Sequence, residues 1–259
     1  MPLLVATGVG VRHRRRWIFR DVDLTAGPGD LVAIVGHAGS GRTTALLALT
    51  ERFKLSAGKV HIVGRAALGH VPTVEQPEKL LTVADHVRER LALLGRSTRS
   101  AEAVISGGLY GLDPKLQGWE LSPYQEQVLG VVLARLADPA VIALDAIDEG
   151  LDPDEQEDLW GILTRIAAGG VVILVTARDV DPERVTTVVR LSSPPAPVAH
   201  AAPTPARRPA EAAQLTPAAP DETLETAELL VGAGAAARAR RDETTDDEQG
   251  ERFDDGGKR

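Results

Sequence analysis

The sequence predicts an α/β fold built on a parallel sheet, and three observations carry that prediction. Leu31–Val35, Val141–Leu144 and residues 171–175 (VVILV) are continuous apolar runs, as expected of strands buried on both faces. Helical stretches at 125–137 and 153–168 alternate with them, and strands that alternate with helices assemble into parallel sheets. A glycine-rich loop joins the first run to an apolar helix, Ala45-Leu46-Leu47-Ala48-Leu49.

Ahead of these elements, Leu3-Leu4-Val5 and Trp17-Ile18-Phe19 read as short antiparallel strands. The basic cluster Arg12-His13-Arg14-Arg15-Arg16 lies between them. It reads as a solvated hairpin loop, with contact to an acidic lipid or partner as the sharper alternative. The character of the chain changes after Leu191, where proline and alanine take over and residues 242–255 are strongly acidic. Such segments bury too little apolar surface to offset the entropy of ordering. The folded domain is therefore expected at 1–191. The tail at 192–259 is expected to be mostly disordered, with one candidate helix at 223–241 around Leu224, Leu229 and Leu230.

A chain of 259 residues suits one domain with a tail. The net charge of −8 argues against a general nucleic-acid binder, because such proteins carry a basic surplus. The absence of cysteine excludes disulfides and Cys-ligated metal centres and is compatible with a reducing compartment. No secretory leader is expected at the N-terminus. No stretch approaches the ~20 apolar residues that span a bilayer, so a role at a membrane would run through a partner.

The segment after the first strand reads Gly36-His37-Ala38-Gly39-Ser40-Gly41-Arg42-Thr43-Thr44. Gly36 and Gly41 have the spacing of the phosphate-binding pattern G-x-x-x-x-G-K-[ST]. Its glycines let backbone N–H groups converge on one point, and the helix N-terminus adds positive potential there. Arg42 stands where the pattern has lysine. The charge is kept, but a planar guanidinium is wider than an ammonium. Thr43 supplies the hydroxyl that would face a magnesium ion.

Further landmarks stand in a fixed order. Phe19-Arg20-Asp21-Val22-Asp23-Leu24 and Gly27-Pro28-Gly29-Asp30 lead into the loop. Residues 131–144 (VVLARLADPAVIAL) run into Asp145, Gly150-Leu151-Asp152 follow, and 171–179 close the series. Over roughly the first 190 residues this order and spacing resembles the ATP-binding cassette of ABC transporters. The resemblance implies a P-loop NTPase of ABC type, with a parallel-sheet core, an N-terminal antiparallel β subdomain and a helical subdomain inserted at about 77–136. It implies ATP and Mg²⁺ as cofactors and a membrane permease subunit as partner. It also implies a homodimer or heterodimer with another cassette and a cytoplasmic position at the inner face of the membrane.

Carried over residue by residue, the resemblance makes Asp145 the strand-end carboxylate that would hold Mg²⁺ opposite Thr43. The family's next residue is a glutamate that polarises water; here it is Ala146. Asp148 and Glu149 follow and read as exposed loop charges, with substitution for that glutamate by either as the alternative. The family's L-S-G-G-Q segment corresponds to Leu121-Ser122-Pro123-Tyr124-Gln125. Ser122 would reach the γ-phosphate of a partner's nucleotide, or serve only as the cap of a helix that Pro123 begins. The switch histidine corresponds to Ala177, followed by Arg178. The glutamine of the family's Q-loop corresponds to Thr73, with Gln76 as the alternative. His13 and Trp17 are the two candidates for stacking on adenine. Pro77 and Leu80-Leu81-Thr82-Val83 resemble the region where cassettes meet the membrane subunit. Ser106-Gly107-Gly108 resembles the missing glycines only superficially and reads as a loop. The expected function is Mg-ATP binding coupled to a permease, with hydrolysis weak or dependent on a partner cassette. The alternative is a non-catalytic scaffold with the same fold.

Overall fold

The computed structural model describes residues 1–191 apart from residue 108. The tail at 192–259, with its expected disorder and candidate helix, lies outside the described residues.

The chain opens with an antiparallel hairpin of strands β1 (Leu4–His13) and β2 (Arg16–Ala26). Both are longer than the short runs expected from sequence. Leu4, Ala6, Val9 and Val11 of β1 and Phe19, Val22, Leu24 and Ala26 of β2 are buried, while Thr7, Arg12, Arg20, Asp21, Asp23 and Thr25 beside them are exposed. Arg14 and Arg15 form the turn at φ 44° and 67°. Two left-handed residues match the right-handed twist of the flanking strands, so the basic cluster is a tight turn. Arg12 lies 5.7 Å over the ring of Trp17 across the hairpin. Strand β4 (Ala57–Ile62) adds to β1 and completes a three-stranded sheet ordered β2-β1-β4.

The second sheet is parallel and five-stranded. It comprises β3 (Leu31–Val35), β5 (Ala66–Leu68), β6 (Val141–Leu144), β7 (Val172–Ala177) and β8 (Thr187–Arg190), in the order β5-β6-β7-β3-β8. Its three apolar strands are buried throughout. Their side chains divide between two cores. Ala33, Val35, Ile142, Leu144, Ile173 and Val175 pack on one face beneath the helices that follow β5. Val32, Ile34, Val141, Ala143, Val172 and Leu174 pack on the other, against helix α1 (Arg42–Leu49) and the antiparallel sheet. A period of two in a strand with no polar face is what burial on both sides demands. The fold is therefore the mixed α/β arrangement expected, with a parallel core and an antiparallel β subdomain.

Helices α2 (Val83–Leu93), α3 (Thr98–Ser106), α4 (Pro123–Arg135) and α5 (Pro153–Ala168) complete the described chain. Ser106 is the last residue of α3 and Gly107 caps it, while Gly108 of the same segment lies outside the described residues. Helix α4 begins with Pro123, and Ser122 and Gln125 form a reciprocal capping box. Asp152 caps α5 by accepting from the backbone N–H of Asp154 and Glu155. Helix α4 crosses the end of β5 so closely that a Cβ on Gly130 would fall on the backbone nitrogen of His70 and 2.9 Å from the carbonyl carbon of Gly69. Neither obstacle is a side chain that could swing away. Gly130→Ala is expected to cost about 3 kcal/mol of stability, read as a lowered urea midpoint with unchanged slope.

Candidate functional site

The carboxyl ends of β3, β6 and β7 lie side by side, with Val35 in register with Ala177 and Leu144 with Val175. In open α/β sheets this is the edge where ligands bind. The 36–44 segment leaves β3 there and turns into α1. Gly41 sits at the head of the helix at φ 91°, and a Cβ on it would lie 2.5 Å from Ile18 Cγ2. Both the left-handed backbone and the contact with β2 require glycine. The Ser40 N–H donates to the His37 carbonyl at 3.0 Å, which tightens the loop.

Thr43 is on the first turn of α1, and its hydroxyl donates to Asp145 Oδ2 at 2.7 Å. Asp145 follows β6 and is 5% exposed. Its other oxygen, Oδ1, accepts from the hydroxyl of Thr176 on β7. The Asp145 N–H donates to the His70 carbonyl at 2.9 Å, and its own carbonyl accepts from Gln127 Nε2 of α4 at 2.9 Å. Thus residues far apart in the chain hold one carboxylate beside the glycine loop. Thr176 and Gln127 were not singled out from sequence as site residues. A buried glutamine on the apolar side of α4 was the signal for Gln127.

Ala146 comes next, with φ 53°. A left-handed non-glycine residue is uncommon and is held here by its surroundings. Its N–H donates to Thr176 Oγ1 at 2.8 Å, and its carbonyl accepts from Glu149 N at 3.0 Å. The resulting turn is stitched to β7, since Ile147 N donates to the Thr176 carbonyl at 3.1 Å and Arg178 N donates to Asp148 Oδ2 at 2.8 Å. Ala177 is buried at the end of β7. Arg42 Nη2 lies 3.7 Å from Glu149 Oε1, and Arg178 Nη2 lies 3.9 Å from the same oxygen. His70, whose carbonyl accepts from Asp145, is buried with Nε2 3.6 Å from Glu126 Oε2. Burial holds the His70 imidazole below its usual range, with the nearby Asp145 charge opposing. Burial also pushes the Glu126 carboxyl up.

Other residues expected at the site lie elsewhere or point away. Ser122 caps α4 by accepting from Gln125 N at 3.2 Å, and none of its hydrogen bonds reaches the 36–44 loop. Thr73 has φ 67°, and Gln76 Oε1 turns back to its N–H at 3.4 Å. His13 is exposed at the end of β1, whereas Trp17 is half-buried on β2. A cleft of about 390 Å³ opens beside the loop, lined by Gly36, His37, Arg178, Asp179 and Arg190 among others.

The oxygen donors of Thr43 and Asp145 fit a magnesium ion, which takes one or two protein oxygens and leaves its other positions to phosphate and water. Among the described residues no group of three or more His, Cys, Asp or Glu side chains is set to hold a metal. A metal here would accordingly depend on oxygens of a bound polyphosphate.

A glycine loop running into a helix at the carboxyl edge of a parallel sheet, with an acidic strand end facing the helix hydroxyl, defines a P-loop nucleotide-binding protein. Residues 19–147 match the family model described as ABC transporter. The chain belongs to that family. It is 32% identical over 185 residues to a Streptomyces coelicolor protein described as an ABC transporter ATP-binding protein, an alignment covering 67% of this chain and 33% of that protein. It is 27% identical over 200 residues to the fructose import ATP-binding protein of Bifidobacterium longum, covering 70% of this chain and 39% of that one. The chain thus spans about a third to two fifths of the length of these relatives. A nucleotide-free ATP-binding cassette from an ABC transporter shares the fold with a TM-score of 0.64 at 17% identity, covering 74% of this chain and 88% of that structure.

Thr176→Val keeps the shape of the side chain but strips Asp145 Oδ1 of a donor and Ala146 N–H of an acceptor. Leaving buried polar groups unpaired costs about 2 kcal/mol, so the variant should unfold at clearly lower urea concentration.

Proposed function

We propose that this chain binds Mg-ATP in the 36–44 loop and serves as the ATP-binding subunit of a transporter. The observation that carries the proposal is the Thr43–Asp145 contact of 2.7 Å at the mouth of that loop. It brings the two oxygen donors a nucleotide-bound magnesium ion needs to one point. Backbone N–H groups of 36–41 and the N-terminus of α1 would cradle the phosphates. When bound, the metal would neutralise charge on the phosphate oxygens.

The residues around the loop favour binding over fast hydrolysis. Ala146 stands next to Asp145 where the resemblance calls for a glutamate, and a methyl group neither orients water nor accepts its proton. Ala177 offers no imidazole. Loss of general-base help costs about 10²–10⁴ in rate. A second cassette, identical or not, would supply Ser122 or its equivalent across the nucleotide, which fits a Ser122 hydroxyl at the partly exposed start of α4.

Coupling to a membrane permease is the second part of the proposal. Among the described residues no helix is long and apolar enough to cross a membrane. Leu80 and Trp119 are 76% and 62% exposed, and the Trp119 N–H donates to the Lys79 carbonyl at 3.1 Å, so the two side chains share one surface region. Exposed large apolar groups in one place fit a protein partner. A permease partner would hold the chain at the inner face of the membrane, in the cytoplasm.

Calorimetric titration of the purified chain with ATP tests the reading. Saturable binding is expected, with a rise in melting temperature at saturating nucleotide. Asp145→Asn should weaken binding at least about tenfold in magnesium and much less in EDTA, because the carboxylate acts through the metal. Steady-state turnover should stay far below that of a cassette with a glutamate after its strand-end aspartate. Absence of heat and of thermal stabilisation would favour the scaffold reading. Rapid turnover that Asp145→Asn abolishes would overturn the expectation of weak hydrolysis.

A further inference from the structure

Glu149 does more than decorate a loop, and this inference rests on the nucleotide-binding reading above. Arg42 is the cation of the phosphate loop, and its side chain is only 11% exposed, against 50% for Glu149. One carboxylate oxygen of Glu149 faces two guanidinium groups, Arg42 at 3.7 Å and Arg178 at 3.9 Å. One arginine comes from the head of α1 and the other from the end of β7, so the carboxylate bridges both walls of the loop's mouth.

The backbone fixes where that carboxylate starts. Ala146 at φ 53° and the Glu149 N–H to Ala146 carbonyl bond of 3.0 Å fold the turn back toward the loop. Asp148 Oδ2 holds the Arg178 N–H at 2.8 Å, which keeps the second arginine alongside. A second observation points to an anion. Arg42 Nη1 is buried and has no hydrogen-bond partner. A buried guanidinium nitrogen ordinarily donates to an acceptor. At 3.7 Å Glu149 supplies charge to Arg42 without supplying a hydrogen bond.

We propose that Glu149 is an internal stand-in for a nucleotide phosphate, holding Arg42 and Arg178 in the nucleotide-free chain and displaced from both by an incoming polyphosphate. Binding is then an exchange of one anion for another. The phosphate oxygens can satisfy the Arg42 donors that the carboxylate leaves unpaired. The Glu149 side chain must swing out toward water while its backbone turn stays in place, and its half-exposed position allows that. Nucleotide affinity is set partly by a competitor built into the chain. A Glu149 that instead assisted the nucleotide, by orienting water or metal, would have the opposite sign.

The test is titration of the full chain with Mg-ATP, comparing wild type with Glu149→Gln, and with Glu89→Gln as a charge control on the exposed side of α2. Glu149→Gln is expected to tighten binding about threefold to tenfold, a modest gain because water screens a half-exposed pair. Glu89→Gln should change nothing. In an Arg42→Lys background the gain from Glu149→Gln should shrink, since the shorter side chain no longer extends to the carboxylate. Unchanged or weaker binding by Glu149→Gln, while wild type binds, overturns the stand-in role alone. Equal tightening by Glu89→Gln also overturns it, by making the effect one of net charge. If neither wild type nor Glu149→Gln binds nucleotide, the stand-in role and the nucleotide reading fall together.

Discussion

The arrangement depends on one buried carboxylate. Asp145 accepts from the hydroxyls of Thr43 and Thr176, and its backbone is held by His70 and Gln127. A carboxylate taken from water is tolerated only when its oxygens keep hydrogen-bond partners. The partners of the carboxylate come from α1 and β7, and those of the Asp145 backbone from α4 and the segment after β5. Satisfying one residue therefore ties together the elements that shape the phosphate loop. The closeness of α4 to β5 at Gly130 belongs to the same constraint, because it lets Gln127 reach the Asp145 carbonyl.

Around that point the site is cationic without being fully satisfied. Arg42 keeps the charge expected of the phosphate loop but carries it on a planar fork wider than an ammonium. It lies 3.7 Å from Glu149, and one of its nitrogens is buried and unpaired. The turn at 146–149 is strained at Ala146 and stitched to β7 by three hydrogen bonds. A turn fixed this firmly places Glu149 and Arg178 at the mouth of the loop. Residues 146 and 177, beside the carboxyl ends of β6 and β7, carry only methyl side chains.

Much of this was legible before the fold. Three apolar runs marked the buried strands because a strand covered on both faces has no polar side to show. The spacing of Gly36 and Gly41 marked the loop, and Ser122, Pro123 and Gln125 marked the start of α4. Strands β4, β5 and β8 were less legible. β4 is only partly buried, β5 has three residues and β8 lies at the sheet edge, so none carries a strong apolar pattern. The length of the first hairpin was also hidden, since its turn uses two left-handed arginines in place of the usual glycine or asparagine.

By itself the sequence determined the fold class, the position of the phosphate loop and the identity of its facing acid. The first two follow from local patterns, burial period and glycine spacing, and the acid from the resemblance to ABC cassettes. Only the tertiary structure decided which side chains complete the site. Thr176, Gln127 and His70 meet Asp145 through sheet register and the crossing of α4 over β5. Glu149 meets Arg42 through a backbone turn that composition does not announce. Hydrogen bonds and ion pairs act over a few ångströms, and residues as far apart in the chain as Thr43 and Asp145, 102 positions, reach that distance only after the sheet has aligned its strands.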